Sequence, residues 1–137
     1  MRNIAILTCV SLIAAAPPPS TELPPGEGVL CAMAFVDVAA ETGRRCFVGQ
    51  NPEFQARVES AEAKFDGYFL KNAPATADEL ARFKREQAGV GKPDFDCKND
   101  DFVSVYKKFS TLDPSVLTTE VDKLLSRPGK PTFGDCT

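Results

Sequence analysis

Four cysteines constrain the fold of this chain more than any other feature of its sequence. Cys31, Cys46, Cys97 and Cys136 are spread over almost the whole segment that follows residue 28. If they pair, each covalent link stabilises the fold by roughly 2–4 kcal/mol. Pairing depends on the compartment in which the protein folds, because disulfides persist in oxidising compartments and are rare in the cytosol.

The N-terminus indicates export. Residues 1–16 have the order of a secretory signal peptide, with one early arginine, an apolar run over 4–13 and three alanines at 14–16. The run is too short to cross a bilayer, which needs about 20 residues. We expect a signal peptide over 1–16, cleaved near Ala15, and a periplasmic or secreted protein without a stable membrane span after its removal. Two alternatives stay open: lipidation of Cys9, and a buried apolar strand.

A proline-rich segment follows the signal peptide. Residues 17–28 hold five of the 11 prolines of the chain, and such a segment cannot form a helix. We expect a Pro-rich flexible leader over 17–28, and a single helical domain over 29–137. The leader is interpreted as a disordered tail, with a spacer or a ligand for a proline-binding module as the alternatives.

The chain has five cysteines, and removal of residues 1–16 with Cys9 leaves four. An even number of cysteines is typical of two disulfides in an exported protein. Three pairings are possible, and we favour the sequence neighbours Cys31–Cys46 with Cys97–Cys136. The Cys31–Cys46 bond is geometrically tight, because bonded Cα atoms lie within about 7 Å of each other, and it is easier to form if the first helix ends near Ala40. A zinc site is the alternative, and the lack of any C-x2-C pair disfavours it.

Hydrophobic periodicity predicts five helices, and the first two have clear boundaries. The first covers Val29 to about Ala40 and is apolar on nearly every side. This is typical of a buried central helix, and Gly43 is expected to end it as a left-handed cap. The second begins with Asn51 as its N-cap and Pro52 at its first helical position.

The other three helices are predicted from their caps. The third opens with a capping box that starts at Thr76. The fourth follows either Asp96 or Asn99, and the fifth follows Asp113. No segment shows the alternation of a strand. The predicted fold class is therefore all-α: a compact bundle of about five short helices stapled by two disulfides.

Composition narrows the possible functions. The chain has no His, which removes Ser-His-Asp and Cys-His catalysis, His-ligated zinc and the usual proton carrier near neutral pH. A net charge of −3 argues against nucleic acid as a partner. No phosphate loop, dinucleotide fingerprint or G-x-S-x-G motif is present. We assign no catalytic, cofactor-binding or metal-binding residue, and we lean against an enzyme.

Two acidic features allow a functional interpretation. Asp37 lies inside the apolar first helix, where we favour an ion pair with Arg44 or Arg45, or an exposed position, over a binding or acid role. The acidic segment 94–101 begins like a calcium loop, but Lys98 occupies the position of a ligand. Helix capping is the simpler interpretation of that segment.

Aromatic residues are the remaining signal. Ten Phe and two Tyr are enough to fill a small helical core or to line an apolar pocket. Phe47, Phe95 and Phe133 lie in predicted loops, each beside a cysteine. We take these three as candidate contacts with a partner.

Three functional hypotheses follow. The first is an exported, disulfide-stabilised protein-interaction module of the inhibitor, immunity or envelope accessory type. The second is a carrier of a small apolar ligand, in an aromatic-lined cavity near Phe35, Phe65 and Phe102. The third is a His-free hydrolase that uses paired carboxylates in a cleft.

Overall fold

The computed structural model describes residues 22–136, and the regular secondary structure there is entirely α-helical. The helices are α1 (Val29–Cys46), α2 (Pro52–Asn72), α3 (Ala77–Ala88), α4 (Asp100–Ser110) and α5 (Pro114–Leu125). The predicted all-α bundle with two disulfides is confirmed. Within residues 22–136, no helix combines the length and apolar character needed to cross a bilayer. The predicted signal peptide, residues 1–16, lies outside the described residues and stays a prediction.

Helix α1 is the centre of the bundle. It packs against α2, α3 and α4, while α2 also packs against α3 and α5. Met33 and Val36 of α1 meet Val58 and Phe65 of α2 in the core, and all four are almost completely buried. Because apolar residues cover most sides of α1, it can support three neighbours at once. The prediction of a buried central helix is confirmed.

The helix starts follow from local sequence. The side chain of Asn51 accepts a hydrogen bond from the third backbone amide after it, and Thr76 forms the expected capping box. The Asp113 side chain caps α5. At α4 the cap is Asn99 rather than Asp96, because the Asn99 side chain accepts hydrogen bonds from the amides of the second and third helical residues. These caps satisfy amides that would otherwise lack partners.

The prediction that Gly43 ends the first helix is wrong, because α1 continues to Cys46. Gly43 has ordinary helical backbone without a positive φ, and it is buried. A Cβ at this position would overlap the side chain of Gln55 and lie 3.1 Å from Cε2 of Tyr106. The glycine therefore permits the close approach of α2 and α4 to α1, and it does not cap the helix.

Gly43→Ala is expected to lower the free energy of unfolding by about 1–2 kcal/mol, because overpacking outweighs the better helix propensity of alanine. Gly67→Ala is the matched control, since Gly67 also lies inside a helix and a Cβ there meets nothing within 4 Å. This control should raise the free energy of unfolding by up to about 1 kcal/mol. Urea unfolding measures both changes. Equal stabilisation by the two substitutions would contradict the close approach at Gly43.

The favoured disulfide pairing is wrong. The bonds are Cys31–Cys136 and Cys46–Cys97, with Cα–Cα distances of 5.8 and 5.5 Å. Because α1 is unbroken, Cys31 and Cys46 lie near its opposite ends, about 22 Å apart along the axis. No disulfide can bridge that distance. The observed bonds instead tie each end of α1 to a distant segment, and two such bonds fit an oxidising compartment.

The second half of the predicted leader contacts the C-terminal segment. The amide of Thr132 donates a hydrogen bond to the carbonyl oxygen of Gly26 at 2.9 Å, and the amide of Leu30 donates to the carbonyl of Thr132 at 3.1 Å. The side chain of Arg127 donates to the carbonyl oxygen of Leu23. Residues 22–28 therefore pack beside the start of α1, next to the Cys31–Cys136 bond.

Candidate functional site

Three exposed apolar side chains converge on a groove between α1 and α5. Phe35 of α1, Leu112 of the α4–α5 connection and Val116 of α5 are 42, 41 and 40% exposed. They line one groove of about 310 Å³ together with the buried Phe65 of α2. The remaining lining residues are Ala32, Val36, Phe109, Leu117, Glu120, Val121 and Leu124. We call this the α1–α5 groove.

Helix α5 forms the longest wall of the groove. Its apolar residues span a wide arc, so that Leu117 and Val121 are buried while Val116 and Leu124 border the opening. The helix packs mainly against α2, and this leaves a gap on the side that faces α1. From Val116 to Leu124 the wall rises about 12 Å, which is slightly more than two helical turns.

One carboxylate stands in this apolar lining. Glu120 is the only charged side chain among the described residues that line the groove. No lysine or arginine of residues 22–136 forms an ion pair with it. Glu120 and Leu124 also line a second depression, beside the segment Leu23–Pro25. The site thus combines an apolar floor with one carboxylate available to a partner.

Two of the predicted partner contacts lie beside the same disulfide, at the far end of α1. The Phe47 ring stacks on Tyr106 with 4.3 Å between centroids, and it packs against the core. The Phe95 ring stacks on Phe102 at 5.4 Å. Both rings are half-buried. They are held largely by other aromatic rings of the domain.

Phe133 lies apart from these two rings, near the other disulfide. Its centroid is 6.0 Å from that of Phe83, and its side chain is 42% exposed. Neither Phe133 nor the other two predicted contacts, Phe47 and Phe95, lines the α1–α5 groove. Their role as partner contacts stays a prediction.

The groove partly matches the cavity expected for a carrier. Phe35 and Phe65 line it, whereas Phe102 does not. Leu112 and Val116 were not predicted as site residues. Because Val116 directly precedes Leu117, the apolar arc of α5 is wider than one buried face requires. This width is the sequence signal that could have identified Val116.

A second candidate site is a buried cluster of charges where α1, α2 and α3 meet. Asp37 of α1 is completely buried, and its Oδ1 lies 3.6 Å from Nζ of Lys84 in α3. The same Nζ lies 2.9 Å from Oε1 of Glu62 and 2.9 Å from Oδ2 of Asp66, both in α2. One ammonium group therefore faces three carboxyl groups. We call these four residues the Lys84 cluster.

The predicted partner of Asp37 is wrong. Its cation is Lys84, whereas Arg44 points toward α2 and donates a hydrogen bond of 2.7 Å to Glu62. Arg44 also donates one of 3.0 Å to Glu41. Sequence spacing suggested Arg44 because it is close along the chain, but α3 brings the lysine to the buried side of α1.

The clustered acids respond to this environment in opposite ways. Burial raises the pKa of Asp37 from 3.8 to about 7, although the Lys84 charge offsets part of the effect. Neither carboxyl oxygen of Asp37 has a hydrogen-bond partner among the described residues. Burial also opposes ionisation of Glu62, but hydrogen bonds from Arg44 and Lys84 lower its pKa overall. Asp37 is thus the acid of the cluster that gains or loses its proton near neutral pH.

This arrangement does not form a catalytic cleft. Asp37 has no exposed surface, so that a substrate cannot reach it without movement of a helix. Within residues 22–136, no three acidic or cysteine side chains are grouped as metal ligands. In the calcium-like segment, Asp96 accepts a hydrogen bond of 2.8 Å from the Lys98 amide. The hydrolase hypothesis gains no support from these acids.

Comparisons of the chain with protein-family models, curated proteins and solved structures find no match. The geometry of the α1–α5 groove and of the Lys84 cluster is therefore the basis for assigning function.

Proposed function

We propose that this protein is an exported interaction module whose α1–α5 groove binds the apolar face of an amphipathic helix from a partner protein. The observation that carries the proposal is the convergence of Phe35, Leu112 and Val116, all exposed, on one groove. Contiguous exposed apolar surface on a soluble domain marks an interaction site. The two disulfides and the predicted signal peptide support a periplasmic or secreted location.

The dimensions of the groove favour a helix as its occupant. A helix that lies in a groove is held by apolar residues at positions such as i, i+3 or i+4, and i+7. Those positions cover two turns, or about 11 Å, close to the rise of the wall from Val116 to Leu124. Glu120, which forms no ion pair with residues 22–136, favours a partner helix with a lysine or arginine beside its apolar row.

The shape of the groove disfavours a small apolar ligand. Ligand pockets enclose roughly 70–90% of their ligand and measure about 300–1,000 Å³. The α1–α5 groove, at about 310 Å³, is at the lower limit of that range and opens to solvent along the exposed edges of Phe35 and Val116. A rigid row of side chains from a protein fits this shape better than a ligand that needs enclosure.

Photo-crosslinking tests the proposal. A photoreactive residue placed at Val116 is expected to form an adduct with one protein of the host's extracytoplasmic fraction. The crosslinked peptide should be an amphipathic helical segment that carries a lysine or arginine. Thr118 is the control position, since it is exposed on the same helix but does not line the groove.

Two results would contradict this assignment. Equal adducts from positions 116 and 118 would show that the groove is not the contact surface. An adduct at position 116 with a lipid or another small apolar molecule would replace the interaction module by the carrier.

A further inference from the structure

The sequence leaves this protein almost without side chains that titrate near neutral pH. Histidine is the side chain whose ordinary pKa lies there, and the chain has none. Four of its five cysteines are oxidised in disulfides. Ordinary Asp, Glu, Lys and Arg side chains keep their charge between pH 5 and pH 8. Any large response of the domain to pH in this interval must therefore come from an unusual group.

The Lys84 cluster contains such a group. The charged side chains that surround Asp37 are Lys84 from α3 and Glu62 and Asp66 from α2. Lys84 donates hydrogen bonds of 2.9 and 3.0 Å to Asp66, whereas its Nζ is 3.6 Å from Asp37, beyond hydrogen-bond distance. When Asp37 is ionised, its charge is therefore buried, without a hydrogen bond and close to two other carboxylates. The Lys84 ammonium group, 3.6 Å away, offsets only part of the cost of burial.

Helix α3 is the element that can relieve this charge. Its three buried residues are Leu80, Lys84 and Ala88, so that one of the few groups attaching it to the bundle is the lysine of the cluster. Just beyond the end of α3, the backbone amide of Gly91 donates a hydrogen bond of 3.3 Å to Oε1 of Glu41 and so links this segment to α1. Movement of α3 would admit water to the carboxyl group of Asp37 and end its desolvation.

We propose that α3 is a proton-controlled element: the protonated Asp37 carboxyl keeps α3 docked, and release of its proton to bulk water loosens α3 from α1 and α2. The rest of the bundle stays folded because the two disulfides hold both ends of α1. The Cys46–Cys97 bond lies beyond α3 in the chain and limits how far the loosened segment can move. This device is independent of what occupies the α1–α5 groove.

Hydrogen exchange at pH 5 and pH 8, corrected for intrinsic exchange rates, tests the proposal. The amide protection of α3 is expected to fall on the order of 100-fold from pH 5 to pH 8, since the open state binds the Asp37 proton much more weakly. At pH 8, α3 should exchange well before the buried amides of α1 and α2. Its exchange would then report a local opening and not unfolding of the whole domain.

Two variants make the test specific. Asp37→Asn, which mimics the protonated acid, should leave the protection of α3 the same at both pH values. Asp122→Asn is the matched control, because it removes an exposed carboxylate that pairs with Lys64 at 2.6 Å; it should keep the wild-type response. If Asp37→Asn fails to fold, the hydrogen exchange of the wild-type protein at pH 5 and pH 8 is sufficient to test the proposal. Constant protection of α3, or protection equal to that of α2 at every pH, would overturn the proposal.

Discussion

Replacing both Cys31 and Cys136 by alanine is expected to lower the free energy of unfolding by about 4 kcal/mol. The bond joins residues 105 positions apart, and crosslinks that close long loops remove the most conformational entropy from the unfolded chain. The Cys46–Cys97 bond closes 51 positions, and its removal should cost nearly as much, because the effect grows only with the logarithm of loop length. Urea unfolding of the mature protein measures both.

The variant Cys31→Ala with Cys46→Ala, which replaces two cysteines that are not bonded to each other, provides the decisive control. With the observed bonds it removes one cysteine from each disulfide, so that it should lose the stabilisation of both bonds and present two free thiols. Either correctly paired double variant should present none. If this variant instead kept one bond, without free thiols and with the loss of stability expected for one disulfide, the pairing Cys31–Cys136 with Cys46–Cys97 would be contradicted.

Asp37→Asn is expected to abolish most of the pH dependence of stability between pH 5 and pH 8. The folded pKa of Asp37, about 7, exceeds the unfolded value near 3.9, so the folded state binds this proton more tightly. The contribution of Asp37 to stability is therefore fully present below about pH 4 and is lost as the pH rises to about 7. For the wild type, the loss from pH 5 to pH 8 should be about 2–3 kcal/mol.

Chemical unfolding across that interval checks the prediction. The control Asp122→Asn alters a surface ion pair, which contributes about 0–1 kcal/mol, and it should retain the full wild-type slope. Glu62 does not interfere, because its lowered pKa keeps it ionised throughout the interval. A wild-type protein equally stable at pH 5 and pH 8 would show that Asp37 has an ordinary pKa.

Local features of the fold were predictable from sequence. Asn51, Thr76 and Asp113 cap their helices as expected, because capping depends on residues only two or three positions apart. The buried character of α1 follows from its apolar residues, which cover nearly every side of the helix. Such signals are read from short stretches of sequence and require no knowledge of which helices meet.

Features that depend on tertiary contacts were not predictable. Gly43 looks like a helix terminator in sequence, yet it lies where Gln55 and Tyr106 approach α1 most closely. The longer helix that results made the favoured pairing of Cys31 with Cys46 impossible. The partner of Asp37 was wrong for a related reason: Lys84 is distant in sequence and reaches the acid only because α3 packs against α1.

The residues of the candidate site were likewise only partly predictable from the sequence. Phe35 and Phe65 were recognised as aromatic residues able to line an apolar pocket. Leu112 and Val116 could not be assigned, since a groove arises only where α5 packs against α2 and leaves a gap beside α1. Glu120 has an unremarkable position in the sequence, and it becomes informative only as a carboxylate in an apolar wall.

The most direct test of the central claim is the affinity of the protein captured at position 116 for two variants with the same charge change. Val116→Asp places a carboxylate in the α1–α5 groove and is expected to weaken binding at least about 30-fold, the size typical of a disrupted hot spot. Thr118→Asp, on the same helix but outside the groove, should bind within about threefold of the wild type. Equal affinities for the wild type and both variants would contradict the assignment of the groove as the binding site.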